Sequence, residues 1–229
     1  MTQNTLIISD LHIGSRAINH KAVIKLLSKM EFDRLILLGD IIDGWAFNRY
    51  RKFSKKDVKI IRKLLKKSEK IPVIWIAGNH DEFIREYIPV EFGNITIVNE
   101  YVENGIFYTH GDLYDGVVKL KWLGKLGAIG YELAISIDSV FKALGYKKSI
   151  SKILKDKTKE VVKFITNFEN EIVRQAKKRN CNIAICGHIH KPMDKIIDGV
   201  RYINTGDWIE NYSYVVQTDT EISLLKLDT

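Results

Sequence analysis

The sequence predicts an α/β fold, and three observations carry that expectation. Residues 6–9, 35–38 and 73–77 are short apolar runs, each followed by a Gly or an acidic residue, with helical patterns between them. Such alternation of buried strands and helices marks βαβ units. After residue 94 strands follow one another closely, and Asn104-Gly105 and Asp198-Gly199 supply hairpin turns. With 229 residues, 45% of them hydrophobic, the chain can bury a substantial core as one domain.

The elements follow in chain order. After the first strand, Val23, Leu26, Leu27 and Met30 recur at helical spacing behind Asn19, a good N-cap. Val58, Ile61 and Leu65 form an apolar stripe on a basic helix, capped by Ser54 with Asp57 three residues on. Residues 95–98, 101–103 and 106–109 read as strands, and 183–186 as a further buried strand. Residues 195–197 and 200–203 flank the second hairpin turn, and 214–217 and 221–226 close the chain as strands. Residues 115–180 read as helical throughout, far more than a crossover needs. The expected organisation is a single domain over residues 1–229, in which 115–180 include a helical cap.

Composition removes several classes. With 15 Gly and 3 Pro the chain is neither collagen-like nor low-complexity. No secretory signal is visible at the start, and no apolar run approaches the roughly 18–20 residues of a membrane span. Two cysteines, Cys181 and Cys186, make no disulfide framework, so the expected location is a reducing cytoplasm. The net charge of +8 is unevenly placed: residues 49–70 carry a local +9 and residues 117–163 a local +7, leaving −8 for the rest. An acidic body with two basic segments suits a phosphate-bearing or membrane-surface partner as well as a solvated face.

The chemistry lies just past the strand ends. Asp10-Leu11-His12, Gly39-Asp40-Ile41-Ile42-Asp43, Gly78-Asn79-His80-Asp81, His110-Gly111-Asp112 and Gly187-His188-Ile189-His190 all occupy such positions. Open α/β sheets bind ligands beyond the carboxyl ends of their strands, where residues distant in sequence converge. Imidazole, carboxylate and amide donors without thiolate favour Mn²⁺, Fe or Zn²⁺ over Ca²⁺ or Mg²⁺. Cys186, on a buried strand, reads as a small core residue rather than a ligand, and His20 has no partner motif.

In order and spacing these five segments resemble the calcineurin-like metallophosphoesterase family. The resemblance implies an αββα sandwich of two mixed β-sheets flanked by helices, with two divalent ions, Mn²⁺ foremost. It implies that Asp10, His12, Asp40 and His190 hold the first ion, and that Asp40 bridges to a second held by Asn79, His110 and His188. His80 would stand beside the phosphate with Asp81 orienting it, while Asp43 and Asp112 hold turns and ligands in place.

Within the family, His110-Gly111-Asp112, Trp122-Leu123 before a Gly-rich helix, Gly187-His188-Ile189-His190-Lys191-Pro192 and residues 202–210 look like the UDP-2,3-diacylglucosamine pyrophosphatase group. That resemblance implies release of UMP and a lipid 1-phosphate in lipid A synthesis, in the cytoplasm or on the inner membrane as a peripheral protein. The best-known members carry Arg where this chain has His80. The apolar residues of 120–144 would then form a cap beside the metals, with lysines at its rim. Two alternatives stay open: a nucleotide or nucleic-acid phosphodiesterase, for which only Tyr50 and Phe53 offer stacking among the lysines of residues 49–70, and a non-catalytic scaffold.

Overall fold

The computed structural model describes residues 4–115 and 150–228, with side chains of the second stretch described from residue 162. Two compact units divide the chain, one of Met1–Asp112 with Ile172–Thr229 and one of Leu113–Glu171. The apolar cap expected over 120–144 lies outside the described residues.

The first unit holds two sheets. Strands β1 (Thr5–Ile8), β2 (Arg34–Leu38) and β3 (Val73–Ile76) run parallel, joined by α1 (His20–Lys29) and α3 (Lys55–Ser68), with the short α2 (Gly44–Tyr50) preceding α3. Next come β4 (Val90–Phe92), β5 (Ile95–Val98), β6 (Glu100–Glu103) and β7 (Ile106–Thr109). Helix α4 (Ile150–Lys178) leads into β8 (Ile183–Cys186), β9 (Met193–Ile197), β10 (Val200–Asn204), β11 (Ser213–Gln217) and β12 (Ile222–Lys226). One sheet is ordered β12-β11-β1-β2-β3-β5-β4 and the other β6-β7-β8-β10-β9, both mixing parallel and antiparallel pairs. This is the expected mixed α/β sandwich.

Strand alternation explains the layering. Side chains two residues apart share a face, so Ile7, Ile36, Leu38, Ile74 and Ile76 meet Ile106, Tyr108, Ile185 and Ile203 of the second sheet. On the opposite face Leu6, Ile8, Leu35 and Leu37 pack on Val23, Leu26 and Leu27 of α1 and Ile60 and Leu64 of α3. Because both faces are covered, β1 is buried along its whole length.

Local chemistry sets the ends of these elements. The Asn19 side chain accepts from Ala22 N and starts α1. Ser54 and Asp57 form a reciprocal capping box on α3. Both expected hairpins are present, with Asn104 and Gly105 at φ 49° and 74° and Asp198 and Gly199 at 49° and 81°, the left-handed pair that a two-residue turn requires. Two elements carry no sequence signal: β4, a three-residue edge strand, and α2, which buries none of its side chains.

Candidate metal centre

The residues gathered at the strand ends come from five loops. Asp10 and His12 follow β1, Asp40 and Asp43 follow β2, and Asn79 and His80 follow β3. His110 follows β7, and His188 and His190 follow β8. Asp10, His12, Asp40, His188 and His190 all have left-handed backbone, with φ between 49° and 72°. This conformation is rare for residues other than glycine, though Asp and His tolerate it better than most. Gly39, at φ 85°, completes the sharp turn before Asp40, and a Cβ there would collide with the His110 ring.

Among the described residues, three overlapping groups offer ligand atoms lying within 4.8 Å of one another: Asp10 with His12 and His190, His12 with Asp40 and His80, and Asp10 with Asp40 and His110. His190 Nε2 is 3.1 Å from Asp10 Oδ1, and His110 Nε2 is 3.3 Å from Asp40 Oδ2. His188 is outside these three groups, but its ring meets that of His110 edge-on with centroids 5.2 Å apart. His110 Nδ1 faces the Leu38 carbonyl at 2.9 Å, which fixes the ring and turns Nε2 inward.

The arrangement fits divalent cations. Asp10 Oδ1, Asn79 Oδ1 and His110 Nε2 are buried and have no hydrogen-bond partner. Buried polar atoms are ordinarily satisfied; Asp10 and His110 share one ligand group with Asp40, and their lone pairs, with the imidazole neutral, are what a cation takes up.

Charge coupling in the metal-free protein is strong. Burial alone pushes the Asp10 carboxyl up, but His190 and His110 outweigh it and hold it below the usual range. Asp40 is likewise lowered, with His110, His80 and His12 overcoming its burial. On the other side of the same pairs, burial disfavours the imidazoliums, yet Asp40 raises His110 to about 10 and Asp10 raises His190 to about 9.

The carboxylate against His80 is Asp43, not Asp81 as expected. His80 Nδ1 lies 3.0 Å from Asp43 Oδ1, which also accepts from Ala46 N at 2.8 Å and so caps α2. Asp81 accepts instead from Ile41 N at 3.0 Å and Ile42 N at 2.7 Å, bracing the Asp40 loop against the Asn79 loop. Adjacency in sequence was misleading because neighbouring side chains diverge, whereas the turn at Asp40 returns Asp43 to the ring. His80 gains a raised pKa: burial lowers it, and Asp43 and Asp40 more than compensate. Asp112 receives the Arg85 guanidinium at 2.9 Å.

Three features escaped the sequence reading. Trp45 covers the His80 ring at 3.9 Å between centroids while staying 39% exposed. Phe47 and Tyr50 of α2 are also exposed, so the aromatic surface beside the basic segment is larger than Tyr50 and Phe53 alone. His20 has a partner after all: its Nε2 lies 2.7 Å from Asp57 Oδ1. The Trp45 and Phe47 contribution was legible only as part of a seven-residue stretch without periodicity.

Comparison with known proteins gives a family. The calcineurin-like phosphoesterase family model matches residues 4–192. No curated protein sequence matches the chain. Among solved structures, a predicted phosphoesterase from Streptococcus pneumoniae TIGR4 is 14% identical with a TM-score of 0.45, covering 99% of this chain and 90% of its own. The phosphoesterase YfcE from E. coli is 15% identical, TM-score 0.49, with coverages of 99% and 94%. Vacuolar protein sorting 29 from Cryptosporidium parvum is 13% identical, TM-score 0.47, with coverages of 98% and 96%. A match over residues 4–192, which takes in all five motif segments from Asp10-Leu11-His12 to Gly187-His188-Ile189-His190, means that the chain belongs to the calcineurin-like phosphoesterase family of metal-dependent phosphohydrolases.

Proposed function

We propose that the protein hydrolyses phosphoesters with two divalent ions, Mn²⁺ foremost, held by Asp10, His12, Asp40 and His190 and by Asp40, Asn79, His110 and His188. The reading is carried by Asp10, Asp40 and His110, whose ligand atoms lie within 4.8 Å of one another, with Asp10 Oδ1 and His110 Nε2 buried and without hydrogen-bond partners. When bound, such ions acidify water and neutralise charge on a phosphoryl group. His80 presents Nε2 toward the same space, 3.9 Å from Asp40 Oδ2. With Nδ1 against Asp43, it hydrogen-bonds a phosphoryl oxygen or protonates the leaving oxygen.

The substrate we propose is UDP-2,3-diacylglucosamine or a related nucleotide-linked lipid, cleaved to UMP and the lipid 1-phosphate for lipid A synthesis. It rests on the motif resemblance and brings with it a cytoplasmic protein touching a membrane surface peripherally. Among the described residues no helix is long and apolar enough to cross a membrane. A second reading, a nucleotide or nucleic-acid phosphodiesterase, gains from the exposed rings of Trp45, Phe47 and Tyr50 next to a basic helix.

The test combines metal analysis, hydrolysis of bis(p-nitrophenyl) phosphate and UMP release from UDP-2,3-diacylglucosamine under Mn²⁺. Wild type is expected to turn over both substrates, and His80→Ala to lose about 10²–10⁴-fold in rate with both ions retained. Diester hydrolysis without UMP release moves the substrate to the second reading. Full activity in chelated protein overturns the metal centre itself.

A further inference from the structure

We infer that the hydroxyls of Thr205 and Ser9 form a relay that makes Asp10 a one-oxygen metal ligand; the inference rests on the metal centre proposed above. Ser9 follows β1 and Thr205 follows β10, so the pair joins the two sheets immediately behind the site. Ser9, Asp10 and Thr205 are all buried. The two hydroxyl oxygens lie 2.6 Å apart, and Ser9 Oγ bonds to Asp10 Oδ2. The backbone N–H of His188 donates to that same oxygen at 3.3 Å. Asp10 Oδ2 is thereby occupied, and Oδ1 alone is left facing His190 and His12.

Proton counting gives the relay a direction. Each hydroxyl has one proton. That of Ser9 has three acceptors within reach: Asp10 Oδ2, the Thr205 hydroxyl oxygen at 2.6 Å and the Gly206 carbonyl at 3.1 Å. That of Thr205 has the Ser9 oxygen at 2.6 Å or the Cys186 carbonyl at 3.2 Å. The carboxylate is the strongest of the Ser9 acceptors, so Ser9 donates to Asp10, and the 2.6 Å contact between the hydroxyls is then donated by Thr205. Donation by Thr205 polarises the Ser9 hydroxyl and strengthens its bond to the carboxylate.

The loop carrying His188 and His190 is fitted to this arrangement. A Cβ on Gly187 would lie 2.5 Å from Asp10 Oδ2 and 2.6 Å from Ser9 Oγ. Only glycine lets the backbone come close enough for the His188 N–H to share that oxygen. The hydrogen bonds of the Thr205 hydroxyl run to Ser9 Oγ and, at greater length, to the Cys186 carbonyl, neither of them a proposed ligand, so it acts on the metals through its neighbours, Ser9 foremost. Thr205 is a positioning residue.

The experiment is calorimetric titration of Mn²⁺ into the metal-stripped full chain, with the Mn²⁺ electron paramagnetic resonance spectrum recorded alongside. Thr205→Val and Ser9→Ala are each expected to weaken one of the two binding steps by about 10–100-fold, the usual cost of losing a group that orients a ligand. The other step should be unchanged, and Thr205→Ser should restore wild-type affinity and spectrum. Wild-type affinity in folded Thr205→Val overturns the relay; should that variant fail to fold, wild-type affinity in Ser9→Ala does so. Weakening in Thr205→Ser equal to that in Thr205→Val assigns the effect to the methyl's packing and also overturns it. A wild-type chain that takes up no Mn²⁺ is a different failure, that of the metal centre, and removes the relay with it.

Discussion

Replacing Asp57 should cost far more stability than a helix cap alone. The residue is 3% exposed, and its carboxylate accepts from three directions. Ser54 N donates at 2.7 Å, Gly14 N at 3.2 Å, and His20 Nε2 lies 2.7 Å away. Burial raises its pKa, but the bonds from Ser54, His20 and Gly14 prevail and leave it lowered, so the ionised form is net stabilising at neutral pH. A helix cap is worth about 1 kcal/mol. Hydrogen bonds to a charged acceptor contribute roughly 1.5–3 kcal/mol each when buried. Ser54 is exposed and Gly14 half-buried, so water recovers part of that loss, and Asp57→Ala should cost about 2–4 kcal/mol. Asp57→Asn keeps one acceptor oxygen and should cost about half as much. Urea unfolding of both variants, followed by circular dichroism with chelator present, measures this. A loss in Asp57→Ala no larger than that of Ser54→Ala would show that Asp57 acts only as a capping-box partner and that its bonds to Gly14 and His20 contribute nothing.

Two further outcomes follow from the site. His110 and His190 have folded pKa values raised to about 10 and about 9 in the metal-free protein. The stability from their pairing is complete below the unfolded value near 6.5 and is lost as pH rises through 9–10. Melting temperature in chelator should therefore fall from about pH 7 to 10, while saturating Mn²⁺, which needs neutral imidazoles, should remove most of that fall; parallel curves would argue against ions at these residues. Gly39→Ala should destabilise the fold by at least about 1–3 kcal/mol through collision with the His110 ring and the left-handed backbone. Thermal melts measure that cost, and metal analysis of the same variant should show reduced loading.

Most of the sandwich was legible because its signals are local and repeated. The strands of the first half are continuous apolar runs, the hairpins carry Asn-Gly and Asp-Gly, and Asn19 and Ser54 cap as their chemistry dictates. Helix α2 was not legible, since a helix with no buried face has no periodicity to read. The site residues could be picked out by type and by position after strands. Their second partners could not. Asp43 reaches His80 across 37 residues and Ser9 reaches Thr205 across 196, through turns whose direction no short pattern encodes. The formal +9 of residues 49–70 is readable from the sequence, but not that Asp57 faces inward and leaves Glu69 as its one exposed acid.

The left-handed backbone at Asp10, His12, Asp40, His188 and His190 makes the centre a property of the folded chain rather than of its motifs. Each such turn costs on the order of 1–3 kcal/mol in isolation and persists only where surrounding structure imposes it. A peptide carrying Asp10-Leu11-His12 or Gly187-His188-Ile189-His190 would relax to ordinary backbone and scatter its donors. Metal uptake is then a reporter of folding, and the strand ends can be transplanted to another scaffold only together with the sheets that hold them.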